Sequence, residues 1–338
     1  MKRFSFFGIM LIIIFGCGNP EKSAIDKKPN IVLIMADDMG FSDIGCYGGE
    51  ITTPNLDALA NNGIRFTQFY NTARCCPTRA SLMTGLYQHN TGMGWMTASN
   101  LGHQGYTGDL NRQCVTIAEA LKGTEYTSYM TGKWHLTHDD YQTPDAPNHN
   151  WPVQRGFDRF FGHLTGGGGY YKTKSLLTNN EMIPPPEGFY LTQAVSDSTV
   201  NIIKQHCDKQ KDKPFFFYVA YYAPHRPLHA LKEDVDRFRG QYMKGWDQIR
   251  QERFERMKEI GLSEESWKLS DRHPRVSAWE DIPDDKKNVW DARMAAYAAQ
   301  VYRMDVGIGK IIDVLKEYDE FENTIMVFLP DNGGCAEK

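Results

Sequence analysis

Four short apolar segments constrain the fold of this chain more than any other feature of its sequence. Residues 30–36 read NIVLIMA, and further apolar runs lie near residues 125–130, at 215–222 and at 324–329. Runs with so few polar residues are typical of strands that are buried on both faces of a sheet. Because helical patterns separate the runs, the sequence predicts an α/β domain with a mainly parallel central sheet flanked by helices.

Three segments between the strands carry helix signals. Thr53 and Pro54 stand at the preferred N-cap and first positions of a helix. Thr116 and Glu119 have the spacing of a capping box, which predicts a second helix start. The alanine-rich stretch from about 293 to 318 has apolar residues at helical spacing and predicts a long helix.

The first residues have the pattern of an export signal. Residues 1–16 contain two basic residues and then an apolar run, which is too short for a membrane span of about 20 residues. Cys17 follows a small residue, as in the lipobox of bacterial lipoproteins. We therefore expect a signal peptide over 1–16, a lipid-anchored tether over 17–28 and one domain over 29–338, with simple cleavage before Cys17 as the alternative. The expected location is the bacterial periplasm or the outer membrane and cell surface.

Composition narrows the range of partners. The chain is 41% hydrophobic and 12% aromatic, which is enough for a large core, and its formal charge is −4. A net negative charge argues against nucleic acid as a partner. The seven cysteines are irregularly spaced, so the sequence indicates neither a disulfide framework nor a cysteine-based metal site.

Polar residues follow the ends of the four predicted strands. Ligands of open parallel sheets bind beyond the carboxyl ends of the strands, so we expect these side chains to converge. They are Asp37, Asp38, Lys133, His135, His225, Asp331 and Asn332.

The oxygen-bearing members of this group, Asp37, Asp38, Asp331 and Asn332, favour one hard cation. Their carboxylate and amide oxygens suit Ca²⁺ or Mg²⁺ and not zinc or copper. Taken alone, the pair Asp37-Asp38 or the pair Asp331-Asn332 is also compatible with a solvated turn after a strand. Their combination after two central strands favours the metal.

The segment 75–85, CCPTRASLMTG, combines a cysteine, a helix-starting proline and an arginine in one turn. Pro77 suits the first turn of a helix, which leaves Cys75 beside the positive helix end. A thiolate or an anion is favoured there. A small buried cysteine before an ordinary helix is the alternative for these residues taken alone.

Three segments together resemble motifs of the type I sulfatases. Residues 75–85 are similar to the family's C-x-P-S/T-R-x-x-L-x-T-G element. Residues 132–136, GKWHL, resemble G-K-W-H-L-G, with Thr137 in place of the usual glycine, and residues 223–230 resemble A-P-H-x-P-L-x-A. The resemblance extends over about residues 28–332, and it implies the alkaline-phosphatase-like fold.

The resemblance also implies a set of roles. A maturation enzyme would convert Cys75 to formylglycine, whose hydrated aldehyde is the nucleophile. One divalent cation, Ca²⁺ with Mg²⁺ as the alternative, would bind Asp37, Asp38, Asp331 and Asn332 together with the modified Cys75.

The remaining roles fall on basic residues. Lys133 would hold the sulfate, and His135 would hydrogen-bond the hydrated aldehyde from the same face of an extended segment. His225 would donate a proton to the leaving oxygen. Arg79 would orient the aldehyde, although a structural salt bridge is the alternative.

Several other conspicuous residues receive no chemical role from the sequence. The regions around Trp246 and Tyr297 are interpreted as helix packing, and the glycine run 166–169 as part of the pocket rim. Five histidines match no motif position: His89, His103, His138, His149 and His163.

The resemblance predicts an exported sulfuric ester hydrolase that acts on aryl or carbohydrate sulfates. A phosphate or phosphonate ester hydrolase, with the same nucleophile and metal, is one alternative. A non-catalytic, sulfatase-like surface protein is another. The family's core continues past the Asp-Asn pair to a second lysine and a smaller C-terminal subdomain, whereas this chain stops at Lys338. We therefore expect a fragment without that subdomain, with weak activity and poor solubility.

Overall fold

A computed structural model of the chain describes residues 27–335. The predicted signal peptide, the lipid anchor at Cys17, most of the predicted tether and Lys338 lie outside these residues. No helix within 27–335 is long and apolar enough to cross a membrane.

Within residues 27–335, seven strands form one sheet. They are β1 (Asn30–Ala36), β2 (Thr127–Lys133), β3 (Arg159–His163), β4 (Leu176–Thr178), β5 (Glu181–Met182), β6 (Phe215–Ala220) and β7 (Thr324–Pro330). Their order is β5-β4-β3-β2-β6-β1-β7. The pairs from β3 to β7 are parallel, and only the short β4 and β5 run antiparallel. The predicted mainly parallel sheet is therefore confirmed.

Seven α-helices connect and cover the strands, with six short 3₁₀ helices between them in the described part of the chain. The α-helices are α1 (Pro54–Asn61), α2 (Cys75–Thr84), α3 (Ile117–Leu121), α4 (Leu191–Gln210), α5 (Lys232–Phe238), α6 (Trp246–Glu259) and α7 (Asp284–Glu317). The long helix begins nine residues before the predicted 293. The strand predicted near 125–130 lies at 127–133.

Side chains alternate between two cores on opposite faces of the sheet. In β1, Val32 and Ile34 face the core that α4 and α7 cover, whereas Leu33 and Met35 face the core that contains Cys76 and Ala80 of α2. Successive residues of a strand point to opposite faces, so a strand covered on both faces must be apolar at nearly every position. This arrangement explains the uninterrupted apolar run of β1.

The backbone N–H groups at the starts of α3 and α1 find hydrogen-bond acceptors in two different ways. The capping box of α3 is present, because the Thr116 hydroxyl accepts from the Glu119 amide and the Glu119 carboxylate accepts from the Thr116 amide. For α1 the predicted side-chain cap is wrong, since the Thr53 hydroxyl accepts from the Gly45 amide and not from an amide of α1. The carboxylate of Asp305 in α7 accepts from the amides of Asn55 and Leu56 instead. A long-range contact replaces the local cap.

Candidate active site

The strand register brings the predicted site residues to one edge of the sheet. Met35 of β1 pairs with Ala220 of β6 and with Leu329 of β7, and Gly132 of β2 also pairs with Ala220. The polar segments that follow β1, β2, β6 and β7 therefore start at the same level. The polar side chains after these four strands therefore converge, as expected.

The three aspartates and the asparagine form a contiguous oxygen-rich group. The Asp38 amide donates to Asp331 Oδ1 at 3.2 Å, and Asn332 Nδ2 donates to Asp38 Oδ1 at 2.6 Å. Asp38 adopts the left-handed conformation with φ 61°, which aspartate tolerates better than most residues. Ligand atoms of Asp37, Asp38 and His225 lie within 4.8 Å of one another.

Two buried cations hold the carboxylates in place. Lys133 Nζ lies 2.5 Å from Asp37 Oδ2. The Arg79 guanidinium donates to Asp331 Oδ2 from Nε at 3.0 Å and from Nη2 at 2.8 Å, and its Nη1 donates to the Lys133 carbonyl. All four side chains are fully buried. Arg79 thus makes the structural ion pair that the sequence left open as an alternative.

This oxygen group fits a hard divalent cation. Burial raises the pKa of Asp37 to about 6 and that of Asp331 to about 8, and in Asp331 repulsion from Asp37 adds to the effect. Among the described residues, Asp37 Oδ1 is buried without a hydrogen-bond partner, which is costly for a carboxylate oxygen. A cation bound by these oxygens would satisfy that atom and favour the ionised carboxylates.

Cys75 is the first residue of α2, directly after Arg74 in an extended conformation. Its Sγ, Cys76 Sγ and a His135 ring nitrogen lie within 4.8 Å of one another. A hydrogen bond from Cys76 lowers the pKa of Cys75, and the charges of Lys133 and His135 lower it further against the effect of burial. The helix start is therefore a place for an anion or a nucleophile, as the sequence predicts.

His135 reaches the site by a route that the sequence did not predict. Its φ is 54°, so the segment is not extended there, and the expectation that Lys133 and His135 share a face of an extended segment is wrong. The imidazole Nε2 lies 3.1 Å from Cys76 Sγ. Lys133 still ends the strand β2 and points to Asp37.

His225 lies in the loop after β6 and faces the oxygen group. Its Nε2 is 3.4 Å from Asp38 Oδ2, and its Nδ1 lies 2.5 Å from the Arg226 carbonyl oxygen, to which it donates. The Tyr222 ring stacks on the imidazole at 4.8 Å, and the buried Tyr170 hydroxyl donates to the His225 carbonyl. These contacts fix both ring nitrogens of His225 in direction.

Other residues complete the site although the motifs do not indicate them. Cys76 occupies a variable motif position, and Tyr222 places its ring 5.4 Å from Lys133 Nζ. Gly166 packs on His135 so closely that an added Cβ would lie 1.9 Å from Nε2. The glycine run was the only sequence signal for this contact. Cys76 also creates a two-cysteine, one-histidine cluster, which the irregular cysteine spacing did not indicate.

A cleft of about 860 Å³ extends from Asp38 between α6 and α7. Trp246 and Tyr297, which the sequence analysis interprets as helix packing, both line it. Trp246 does pack against two other tryptophans, so the interpretation accounts for part of its surroundings. It does not account for the open space beside the ring.

The architecture is that of the alkaline-phosphatase-like class of α/β folds, shared with solved sulfatase structures. The chain belongs to the Sulfatase family, since the model of that family matches residues 29–338. The family resemblance and the fold expected from the sequence are both confirmed.

Individual relatives agree with this assignment. The chain is 33% identical to an uncharacterized sulfatase of Schizosaccharomyces pombe, with 93% of the chain matched, and 34% identical to an arylsulfatase of Klebsiella aerogenes, with 92% matched. Among solved structures, Ps i-CgsB in complex with k-i-k-neocarrahexaose has 30% identity and a TM-score of 0.65 over 91% of the chain. The chain spans 59% of the first relative, 67% of the second and 59% of the solved structure.

Proposed function

We propose that this protein hydrolyses sulfate esters at the site beyond β1, β2, β6 and β7. The observation that carries the proposal is that Lys133 interacts with two groups of one buried site. Its Nζ pairs with Asp37 Oδ2 of the oxygen group, and its charge lowers the pKa of Cys75 at the start of α2. Membership of the Sulfatase family and the similarity to an arylsulfatase support this activity.

Asp37, Asp38, Asp331 and Asn332 would hold one divalent cation, with Ca²⁺ preferred over Mg²⁺ as in our sequence analysis. Bound there, the cation would supply positive charge at a sulfate oxygen, while formylglycine made from Cys75 would supply the nucleophilic oxygen. The cation and the formylglycine are both proposed from family membership and from the donor chemistry of the site.

The protein's own side chains would position the ester and move protons. Lys133 Nζ lies beside Asp37 and is held charged, because the carboxylate and Cys75 raise its pKa against the effect of burial. It would pair with a sulfate oxygen. His225, whose Nδ1–H is held by the Arg226 carbonyl, would act as the imidazolium and give a proton from Nε2 to the oxygen of the leaving group, and His135 Nε2 would take one at the modified residue.

Charge balance favours a sulfate ester over a phosphate monoester. A protonated His225 and an ionised nucleophile would offset each other, so three carboxylates and the two cations Lys133 and Arg79 leave one excess negative charge in the site. A divalent cation would turn this into one excess positive charge, which matches a singly charged sulfate ester. A doubly charged phosphate monoester would leave an unbalanced buried charge, which is unfavourable. A phosphonate monoester carries the same single charge as a sulfate ester, so the two are distinguished by the rates on each substrate.

Sulfated carbohydrates are the proposed natural substrates, with aryl sulfates as the alternative. The neighbouring solved structure binds a neocarrahexaose, and the Klebsiella relative is named an arylsulfatase. Export and lipid anchoring at Cys17 remain part of the proposal, since a surface enzyme would meet extracellular glycans. Conversion of Cys75 would require a maturation enzyme in the same cell.

The proposal is tested by locating the aldehyde and measuring substrate preference. The protein is produced with a formylglycine-generating enzyme, labelled with an aldehyde-reactive hydrazide and mapped by peptide mass spectrometry. We expect label at Cys75, two residues before Pro77 and four before Arg79, and none at Cys76. Turnover of 4-nitrophenyl sulfate should exceed that of 4-nitrophenyl phosphate and of 4-nitrophenyl phenylphosphonate. Label on Cys76, or a preference for either phosphorus ester, would contradict the proposal.

One specific observation favours a second function. The cluster of Cys75, Cys76 and His135 offers soft ligands that suit zinc. A non-catalytic protein that keeps both thiols could bind zinc there. Stoichiometric zinc, an unmodified Cys75 and no turnover after co-expression with the maturation enzyme would support this function over the hydrolase.

A further inference from the structure

The cleft beside Asp38 has the composition of a binding subsite and not of a packing seam. Its aromatic wall is formed by Trp246 at the start of α6 and Trp290 in α7, and Trp290 is 40% exposed. An exposed tryptophan that faces open space contributes nothing to a core, but its ring can stack on a flat or apolar ring of a ligand. We call the space lined by Trp246, Arg250, Trp290 and Arg293 the aromatic cleft.

The rings of this cleft are fixed in place. Trp246 packs edge-to-face on Trp279 at 4.9 Å and on Trp290 at 5.8 Å. The indole N–H groups of Trp246 and Trp279 donate to the carbonyls of Ser277 and Met243. Because these polar atoms are satisfied within the protein, a ligand in the cleft meets apolar ring surface that needs no further hydrogen bond.

Two arginines of the cleft have no carboxylate within ion-pair distance among residues 27–335. Arg253 is neutralised, because it pairs with Asp43 at 2.5 Å and with Glu50 at 2.6 Å. By contrast, Arg250 donates to the Ser270 hydroxyl, and Arg293 lies 4.8 Å above the Trp290 ring. Neither forms an ion pair within residues 27–335. Guanidinium groups without a carboxylate partner at the wall of a cleft attract anionic groups.

The cleft opens directly onto the catalytic site. Asp38 and Pro224 belong to its wall, and Asp38 also faces His225, the proposed proton donor to the leaving oxygen. Tyr297 bridges the two regions, since its hydroxyl donates to Asp43 Oδ2 at 2.5 Å and lies 3.5 Å from the Asp38 carbonyl oxygen. A group bonded to that leaving oxygen would therefore extend into the aromatic cleft.

We propose that the aromatic cleft binds the leaving group of the sulfate ester and selects one with a ring and a second anionic substituent. The ring would lie against Trp246 and Trp290, and the anion, a second sulfate or a carboxylate, would pair with Arg250 and Arg293. This proposal rests on the proposed hydrolysis of sulfate esters. The ring is an aromatic ring or a pyranose, because both present an apolar face to an indole.

Kinetics with paired substrates test the selection. One pair is 2-naphthyl sulfate with its 6-sulfonato derivative, and the other is a disaccharide carrying one sulfate with the same disaccharide carrying two. Arg250→Gln should lower kcat/KM about 10-fold or more for the substrate with the second anion, and less than about 2-fold for its partner. Trp290→Ala should lower kcat/KM for both members of whichever pair supplies the preferred ring.

Matched controls separate binding from stability. Lys286→Gln removes a positive charge from an exposed site on α7 outside the cleft, and Val289→Ala truncates an exposed neighbour of Trp290. Both should leave all four rates unchanged. Thermal midpoints of every variant identify any loss of fold.

Turnover of 4-nitrophenyl sulfate by the unmutated protein tests the proposed sulfate-ester hydrolysis separately. Binding of the reaction product tests the aromatic cleft in an assay that needs no turnover. For the latter, quenching of tryptophan fluorescence by 6-hydroxynaphthalene-2-sulfonate, the desulfated product, should weaken at least about 5-fold in Arg250→Gln. If 4-nitrophenyl sulfate is hydrolysed but Arg250→Gln and Trp290→Ala change neither rate ratios nor quenching, the cleft has another occupant and the proposal is wrong. If no sulfate ester is hydrolysed, the proposed function fails, and the leaving-group role fails with it.

Discussion

Gly166 offers a direct test of whether His135 must be held at its observed position. An added Cβ at Gly166 would lie 1.9 Å from Nε2 and 2.2 Å from Cε1 of His135. The backbone of Gly166 is not in the left-handed region, so alanine meets no conformational barrier there. The neighbouring Gly167 has no atom within 4 Å of an added Cβ. Gly166→Ala and Gly167→Ala therefore form a matched pair.

The size of the effect follows from the geometry. Ordinary contact between a methyl group and a ring atom is about 3.5 Å, so the imidazole must move by at least about 1.5 Å. A misplacement of about 1 Å at a reacting centre typically costs about 100-fold in rate. We expect Gly166→Ala to reduce kcat by about 100-fold or more. Overpacking of this kind costs about 1–3 kcal/mol in stability, which leaves the protein folded.

Three measurements check this prediction. They are kcat for 4-nitrophenyl sulfate, the urea unfolding midpoint, and the fraction of Cys75 that carries the aldehyde. The last is needed because a poorly modified Gly166→Ala protein would be inactive for a different reason. If Gly166→Ala and Gly167→Ala have equal kcat at equal aldehyde content, His135 is mobile or takes no part in the reaction, and the role assigned to it must be withdrawn.

Further substitutions test the metal site, the ion-pair network and the nucleophile. Asp38→Asn keeps a residue that tolerates positive φ, and it should lose both bound Ca²⁺, measured by elemental analysis, and turnover. Full activity in excess chelator would contradict the metal site. Arg253→Met removes the partner of the mostly buried Asp43 and Glu50 and should lower the free energy of unfolding by about 3 kcal/mol in urea titration. Cys75→Ala should abolish turnover with an unchanged thermal midpoint, and residual turnover would show another nucleophile.

The parts of the fold that the sequence predicts are those with local causes. The apolar run of β1, the capping box of α3 and the proline at the start of α1 depend on neighbouring residues, and each predicted the right element. The convergence of the polar strand ends was also predictable, because parallel strands of one sheet have their carboxyl ends at one edge. The proposed positions of the metal and the nucleophile rest on this convergence and on the motifs.

What the sequence did not predict depends on distant contacts. Asp305 caps α1 from 250 positions away along the chain, so no local pattern could indicate it. The left-handed φ of His135 is uncommon for a residue other than glycine, and residues 132–136 carry no turn signal that predicts it. The aromatic cleft was missed for a related reason: a tryptophan near a helix start is compatible with packing until the structure shows open space beside Trp246.

The aromatic cleft and the metal site share one support, which connects substrate selection to catalysis. Asp43 accepts from the Gly40 amide in the loop that begins with Asp37 and Asp38, and its other oxygen pairs with Arg253 of α6. The same helix carries Trp246 and Arg250 into the cleft. A shift of α6 on binding a leaving group would thus be felt at the loop of the oxygen group. If so, Arg253→Met and Arg250→Gln should have non-additive effects on kcat/KM for the doubly anionic substrate, with a coupling of about 0.5 kcal/mol or more, whereas additive effects would mean that the two regions act independently.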